Sequence, residues 1–195
     1  MIENIFPTPI YWDIIDDGGI VKDEVGLALS KTNFDMKPGW NSHYLSDVNF
    51  NEKNFIEDNN LVNLKAQIFY HLENYLGGIG AKCVTPKIVE SWASLFRKNS
   101  YGHIHSHAQS DIAGVYYFKT NGDDGNIFFE APAPNLDTSN HFQHLAGRYC
   151  HKPVDGKLIL FPAWLRHGIE TNTTDSDRIS ISFNIIMPRY DSEVV

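Results

Sequence analysis

The sequence has only two cysteines, Cys83 and Cys150, among 195 residues, and they form no CxxC pair. This scarcity argues against a disulfide framework and against a zinc ribbon, since both need several closely spaced cysteines. The chain also lacks an excess of positive charge, because 16 Lys and Arg stand against 24 Asp and Glu for a formal net charge of -8. We therefore expect no broad basic surface for nucleic acid or anionic lipid.

Long hydrophobic runs and repeats are missing too. No stretch approaches the roughly 18 apolar residues of a membrane span, and the opening MIENIFPTPIYWDIIDD has no basic segment followed by an apolar run. This predicts a cytoplasmic protein without a membrane segment. Because neither internal repeats nor linker-like tracts occur, the sequence predicts one domain spanning residues 1–195.

The part of the chain before about residue 83 is predicted to be partly helical. Its clearest helix runs from Asp58 to Leu76, where an apolar stripe at three- and four-residue spacing is followed by Gly77 and Gly78. The stripe consists of Leu61, Leu64, Ile68, Leu72 and Tyr75. Such a stripe predicts a helix that packs against the outside of a sheet.

From about residue 84 to 190 the sequence consists of short β-like runs separated by turn residues. The runs are VTPKIVESWASLFRK, DIAGVYYFKT, GNIFFEAP, GKLILFPAWL and RISISFNIIM, and NGDDG and PVDG are turn signals. Several such strands in one small domain indicate a mainly β fold with flanking helices. The periodicity does not choose between a sandwich, a jelly roll and a barrel.

The densest group of candidate metal ligands is YGHIHSH at 101–107, just before the run DIAGVYYF. Alternate side chains of an extended segment share a face, so we expect His103, His105 and His107 on one side. Imidazole suits iron, zinc, copper and nickel, and a catalytic site needs about three protein ligands. His167 is the best further candidate, because it follows an apolar run and stands at a predicted strand end.

The last β-like run carries polar residues on one face. Arg178, Ser180, Ser182 and Asn184 alternate with isoleucine and phenylalanine, so the polar face must look into a cavity or into water. Arg178 with Ser180 makes a receptor for a carboxylate, because the guanidinium fork matches its two oxygens. An exposed edge strand with a surface arginine is the alternative interpretation.

With these residues in view, the chain resembles the 2-oxoglutarate- and Fe(II)-dependent oxygenases of marine bacteria and their phages, which are related to the prolyl hydroxylases. The resemblance begins at IFPTPIY and rests on three blocks: HxH followed by S-x-x-x-G-V-Y-Y, then FP-x-W-x-x-H, then an R-x-S strand. It implies a double-stranded β-helix, which is a cupin-like jelly roll. It also implies an oxygenase that uses Fe(II), 2-oxoglutarate and molecular oxygen.

The resemblance assigns the metal ligands and the catalytic site to the same three histidines. The first ligand is the first histidine of HxH, here His105, and the distal ligand is the histidine after FP-x-W, here His167. In the wider superfamily the middle ligand is an acid, and that position is His107 here. Three imidazoles would thus replace the common two-histidine, one-carboxylate triad. Asp111 and His103 are the alternative third ligands.

The resemblance also implies that Arg178, Tyr117 and Ser180 bind the distal carboxylate of 2-oxoglutarate. Trp92, Ser94 and Asn99 stand just upstream of the histidines and are expected to line the pocket, with a place in the core as the alternative for Trp92. The substrate is expected to be a small molecule or a peptidyl group. Two other functions stay open: a cupin-like metalloenzyme that does not use 2-oxoglutarate, and a non-catalytic β-sandwich binding module. Substrate recognition is expected in the loop HFQHLAGRYCHKPVDG, while the substrate's identity and the oligomeric state are not encoded in these motifs.

Overall fold

The computed structural model describes residues 7–39, 41–46, 54–82, 85–133 and 147–188. Within these ranges the helices are α1 (Ile20–Leu29), α2 (Phe55–Asp58) and α3 (Val62–Gly78). The strands of the first half are β1 (Tyr11–Ile14), β2 (Asp35–Met36), β3 (Tyr44–Leu45), β4 (Lys87–Phe96) and β5 (Gly102–His105). They are followed by β6 (Ile112–Lys119), β7 (Ile127–Glu130), β8 (Arg148–His151), β9 (Lys157–Pro162), β10 (His167–Ile169) and β11 (Arg178–Ile186).

The strands form two antiparallel sheets that face each other. Seven strands are ordered β1-β9-β6-β11-β4-β3-β2, and four are ordered β5-β10-β7-β8. Side chains of β6 and β9 in the first sheet pack with those of β7 in the second, in a buried cluster that contains Val115, Phe129 and Phe161. Because sequence neighbours such as β4 and β5 belong to different sheets, the chain passes back and forth between the two layers.

Each of the five β-like runs of the sequence forms a strand, namely β4, β6, β7, β9 and β11. The part before residue 83 is less purely helical than predicted, since it also contains β1, β2 and β3. These strands have two to four residues, and β1 is largely exposed, so they carry no local pattern of alternating burial. They form because β9 and β4 offer edges to which their backbones pair.

Helix α3 covers the outer face of the seven-stranded sheet, as its apolar stripe predicted. Leu64 and Ile68 are fully buried and belong to one cluster with Leu158, Leu160 and Phe183 of the sheet. Burial of each such side chain stabilises the fold by about 1.5–3 kcal/mol. No helix in the described part of the chain is long and apolar enough to cross a membrane.

The helix starts later than the sequence indicated, at Val62 instead of Asp58. A separate short helix, α2, ends at Asp58, and the intervening Asn60 adopts a left-handed φ of 51° that no continuous α-helix contains. Gly77 and Gly78, predicted to stop the helix, are its last two residues.

Candidate metal centre and carboxylate pocket

His105, His107 and His167 meet between the two sheets. His105 ends β5 and His167 begins β10, and the two residues are register partners in this antiparallel pair. His107 follows β5, and its backbone N–H donates to the carbonyl of Ala163 at 2.8 Å. The candidate ligand atoms of the three side chains all lie within 4.8 Å of one another. This spacing fits one ion held by three imidazoles, with coordination positions left for other ligands.

Hydrogen bonds at Nδ1 orient the rings of His105 and His167. His105 Nδ1 lies 2.7 Å from the carbonyl oxygen of His103, and His167 Nδ1 lies 2.9 Å from that of Leu165. A carbonyl oxygen only accepts, so each Nδ1 carries the proton and donates it. Nε2 of both rings then keeps a lone pair, as a metal ligand requires.

Burial keeps the three imidazoles neutral at ordinary pH. Desolvation, together with the neighbouring imidazoles, lowers the pKa of His107 to about 4 and that of His167 to about 3. Desolvation also lowers the pKa of His105, although the carbonyl of His103 opposes this shift. Neutral imidazole is the form that binds metal ions, so none of the three rings has to lose a positive charge before a cation enters.

The two alternative third ligands lie outside this cluster. The Asp111 carboxylate accepts the backbone N–H of Met187 at 2.6 Å and so fastens the end of β11. His103 lines the same cavity, but its exposed ring contacts Tyr101 with 5.0 Å between centroids. Among the described residues, His105, His107 and His167 are the group of three that could hold a metal ion.

Arg178 lies fully buried at the start of β11, with 0% of its surface exposed. Its Nη1 donates to the carbonyl of Gly125 at 2.7 Å, and its guanidinium carbon lies 4.0 Å from the centre of the Phe96 ring. Among the described residues, its Nε and Nη2 have no hydrogen-bond partner, nor has the buried hydroxyl of Tyr117. Buried donors without acceptors destabilise a protein, so this corner of the molecule is suited to a bound anion.

The electrostatics of this corner also favour a carboxylate. Desolvation lowers the pKa of the Arg178 guanidinium and raises that of the Tyr117 hydroxyl to about 12. A carboxylate would offset the desolvation of the guanidinium by pairing with it. Ser180 is 1% exposed and is the register partner of Tyr117 on the neighbouring strand, so its hydroxyl belongs to the same region.

A cavity of about 210 Å³ connects the two groups, since the three histidines, Tyr117 and Phe96 all line it. Trp92 and Ser94 line it as expected, whereas Asn99 is not among its lining residues. Of the polar face of β11, Ser182 lines this cavity, and the alternative of an exposed edge strand is wrong, because β11 lies between β4 and β6. Residues 141–146 of the loop expected to recognise substrate lie outside the described residues, and its Arg148–His151 segment forms β8.

Sequence reasoning missed two residues that line this cavity, His43 and Glu90. His43 stacks on Phe96 with 4.5 Å between centroids and 5° between planes, and desolvation and Arg178 lower its pKa to about 4. Nothing in its short segment indicated this placement. Glu90 contacts Asn184, whose inward direction the parity of β11 did indicate.

Comparisons with known proteins agree with this geometry. Residues 90–184 match the family described as "Putative 2OG-Fe(II) oxygenase". This range runs from Glu90 to Asn184 and contains the three histidines, Tyr117, Arg178 and Ser180. No curated protein matches the chain.

Solved structures with the same fold come from several bacteria. An oxidoreductase of the 2OG-Fe(II) oxygenase family from Burkholderia pseudomallei is 12% identical, with a TM-score of 0.62 over 85% of this chain and 77% of that one. HygX from Streptomyces hygroscopicus, with nickel, 2-oxoglutarate and hygromycin B bound, is 13% identical, with a TM-score of 0.61 over 94% and 84%. A Pseudomonas putida prolyl-4-hydroxylase is 9% identical, with a TM-score of 0.60 over 93% and 94%. The predicted double-stranded β-helix is therefore confirmed.

Proposed function

We propose that this chain, whose residues 90–184 match the family described as "Putative 2OG-Fe(II) oxygenase", oxidises a small-molecule or peptidyl substrate with Fe(II), 2-oxoglutarate and molecular oxygen. The observation that carries the proposal is the pairing of two features in one cavity. Three neutral imidazoles converge within 4.8 Å, and buried donors of Arg178 and Tyr117 have no partner. The first feature suits a metal ion, and the second suits a carboxylate.

In this proposal His105, His107 and His167 hold Fe(II). Their lowered pKa values and the free Nε2 atoms of His105 and His167 support this role. Three imidazoles bring no negative charge to a divalent ion, so the carboxylates of 2-oxoglutarate would balance its charge. When bound, Fe(II) and 2-oxoglutarate supply the oxidising chemistry, and the protein supplies orientation and an enclosed pocket.

Arg178, Tyr117 and Ser180 bind the distal carboxylate of 2-oxoglutarate in the same proposal. The unpartnered Nε and Nη2 of Arg178 present two donors to the two oxygens, and the Tyr117 hydroxyl adds a third. Phe96 supports the guanidinium from one side. The residues thereby fix one end of 2-oxoglutarate and leave its other end directed to the histidines.

The substrate class follows the range seen among structural relatives. HygX is solved with hygromycin B, a small molecule, and the Pseudomonas putida protein is a prolyl-4-hydroxylase. For this chain the cavity wall is mostly apolar, with Val115, Ile127 and Phe161 among its residues. A C–H bond of an apolar substrate group would fit this wall.

Turnover of 2-oxoglutarate tests the proposal without the substrate. The protein is loaded with Fe(II) under anaerobic conditions, given 2-oxoglutarate and oxygen, and assayed for succinate. We expect succinate above a boiled control, and none from a His167→Ala variant. No succinate together with tight zinc binding would favour the cupin-like metalloenzyme, and no metal binding at all would favour a binding module.

We also propose that residues 1–195 form a single domain, in which the part at 1–83 packs on a core at 84–190. Support comes from one buried cluster that joins Val25 of α1 and Ile68 of α3 to the sheet. A single cooperative unfolding transition is expected, and two separate transitions would contradict the proposal. A cytoplasmic location is supported by the free, exposed thiol of Cys150, and fractionation of a tagged protein tests it.

A further inference from the structure

Asn184 on β11 lies between His107 and Glu90 and contacts both side chains. Its Nδ2 lies 3.2 Å from Nδ1 of His107 and 2.8 Å from Oε2 of Glu90. The residue is 2% exposed, and its Oδ1 is buried without a hydrogen-bond partner in the part of the chain that the structure describes. A buried side-chain amide with one unused end is unusual, because an unpaired buried acceptor destabilises the fold.

His107 differs from the other two histidines in what holds its ring. Nδ1 of His105 and of His167 donates to a backbone carbonyl two residues earlier. His107 lies beyond the end of β5, and its Nδ1 meets the side chain of Asn184 instead. The orientation of the His107 ring therefore depends on a side chain that can turn.

The atom that Asn184 presents decides which nitrogen of His107 is free. With Nδ2 facing it, Nδ1 of a neutral ring accepts a hydrogen bond, and the ring proton lies on Nε2. Metal binding through Nε2 requires the opposite tautomer, with the proton on Nδ1. A half-turn of the amide puts Oδ1 against Nδ1–H, gives Oδ1 its missing partner and frees Nε2. Glu90 is exposed and can turn its carboxylate to water when the amide turns.

We propose that Asn184 is a positioning residue for the metal centre, and that its Oδ1 accepts the Nδ1 proton of His107 when the ring binds a metal ion. The inference rests on the proposed function, because it takes His107 as a ligand. Asn184 then plays for His107 the part that the carbonyls of His103 and Leu165 play for the other two rings. In this way a loop histidine is given the same tautomer as two strand histidines.

Two substitutions at Asn184 and one control on the same strand test the role. Asn184→Leu has nearly the same shape and no acceptor, whereas Asn184→Asp keeps an acceptor and loses the donor. The control is Ser182→Ala, because Ser182 lies on the same face of β11 as Asn184 and lines the cavity. Ni(II) serves as a redox-inert probe, and its Kd is measured by calorimetry without 2-oxoglutarate. Thermal unfolding of each variant checks that it folds.

We expect Asn184→Leu to raise the Kd for Ni(II) by about 10–100-fold, the usual loss when the partner of a metal-bound histidine is removed. The Kd values of Asn184→Asp and Ser182→Ala for Ni(II) should stay within about threefold of that of the unchanged protein. A threefold change corresponds to less than half of the 1.4 kcal/mol that a tenfold change represents. In the Zn(II)-loaded protein, nitrogen NMR should find the His107 proton on Nδ1. Wild-type affinity in Asn184→Leu, an equal loss in Asn184→Asp, or a proton on Nε2 would overturn the proposal.

A His107→Ala variant separates this proposal from the proposed function. If His107→Ala binds Ni(II) as tightly as the unchanged protein, His107 is not a ligand and the three-histidine centre itself is wrong. If His107→Ala loses affinity while Asn184→Leu keeps it, the centre stands and only the role of Asn184 is wrong. If the protein makes no succinate but the variants show the expected pattern of Kd values, the role of Asn184 stands and the oxygenase assignment is wrong.

Discussion

His105 and His167 are register partners on neighbouring antiparallel strands, and their ring centroids lie 4.4 Å apart. Backbone hydrogen bonds of a sheet thus join two residues 62 positions apart in the sequence (167 minus 105). His107 completes the group, with its ring stacked at 5.1 Å from that of His167. Two of the three candidate ligands are therefore fixed by the scaffold before any ion binds, which lowers the entropy lost on binding.

The first prediction concerns His167. We expect His167→Ala to raise the Kd for Ni(II) by more than about 100-fold, since a three-ligand site loses one of its ligands. His103→Ala is the matched control, because His103 lies on the same strand as His105 but outside the three-histidine group, and the variant keeps the backbone carbonyl that accepts from the His105 ring. Calorimetric titration measures both variants. Equal affinity of His167→Ala and His103→Ala would contradict the proposed centre.

The second prediction concerns the carboxylate corner. Arg178→Met keeps most of the packing on Phe96 and removes the charge, so the affinity for 2-oxoglutarate should fall by about 10–100-fold, as expected for a lost charge-assisted hydrogen bond. The affinity for Ni(II) should change little. Arg97→Ala is the control, because Arg97 follows Phe96 but is exposed and lies over Tyr44. Unchanged binding of 2-oxoglutarate by Arg178→Met would show that the anion site is elsewhere.

The third prediction concerns the Tyr117 hydroxyl, whose removal should weaken 2-oxoglutarate binding without weakening the fold. The Tyr117 hydroxyl is buried without a partner, so Tyr117→Phe should leave the free energy of unfolding unchanged or raise it by about 1 kcal/mol without 2-oxoglutarate. The same variant should bind 2-oxoglutarate several-fold more weakly, because one donor is gone. Urea unfolding and calorimetry on the same samples measure the two effects. A loss of stability with unchanged binding would mean that the hydroxyl is structural.

Local patterns in the sequence were sufficient for much of the fold. The apolar stripe around Leu64 and Ile68 and the alternation on β11 follow from side-chain periodicity alone, so both could be predicted. The short strands β1 and β10 could not, because they exist only through pairing with β9, β5 and β7. The same distinction applies to the residues of the site. The three histidines and Arg178 could be predicted, because they stand in recognisable motifs.

The supporting residues of the site depend on long-range register and could not be predicted. Phe96 supports the Arg178 guanidinium because the two are register partners across β4 and β11. Nothing near Phe96 in the sequence indicates a partner more than 80 positions away (178 minus 96). His43 stacks on the Phe96 ring for the same reason, because it directly precedes β3 and β3 pairs with β4.

The last prediction concerns pH. Burial lowers the pKa of His167 to about 3, whereas the unfolded chain has the ordinary value of 6.5. Below pH 6.5 the unfolded state binds a proton at this histidine that the folded state does not bind. The contribution of His167 to the free energy of unfolding is therefore fully present above pH 6.5 and declines as the pH falls towards 3. One such group contributes a slope of up to about 1.4 kcal/mol per pH unit. His107, with its pKa lowered to about 4, adds to the slope over a narrower range.

A His167→Gln variant isolates this contribution, because glutamine does not titrate. Urea unfolding of protein kept in chelator, at pH 7, 6 and 5, gives the free energy of unfolding at each pH. Below pH 6 we expect the variant to lose stability less steeply than the unchanged protein, by up to the slope of one proton. Parallel pH dependences would show that folding does not lower the pKa of His167, and would contradict the proposed effect of its burial.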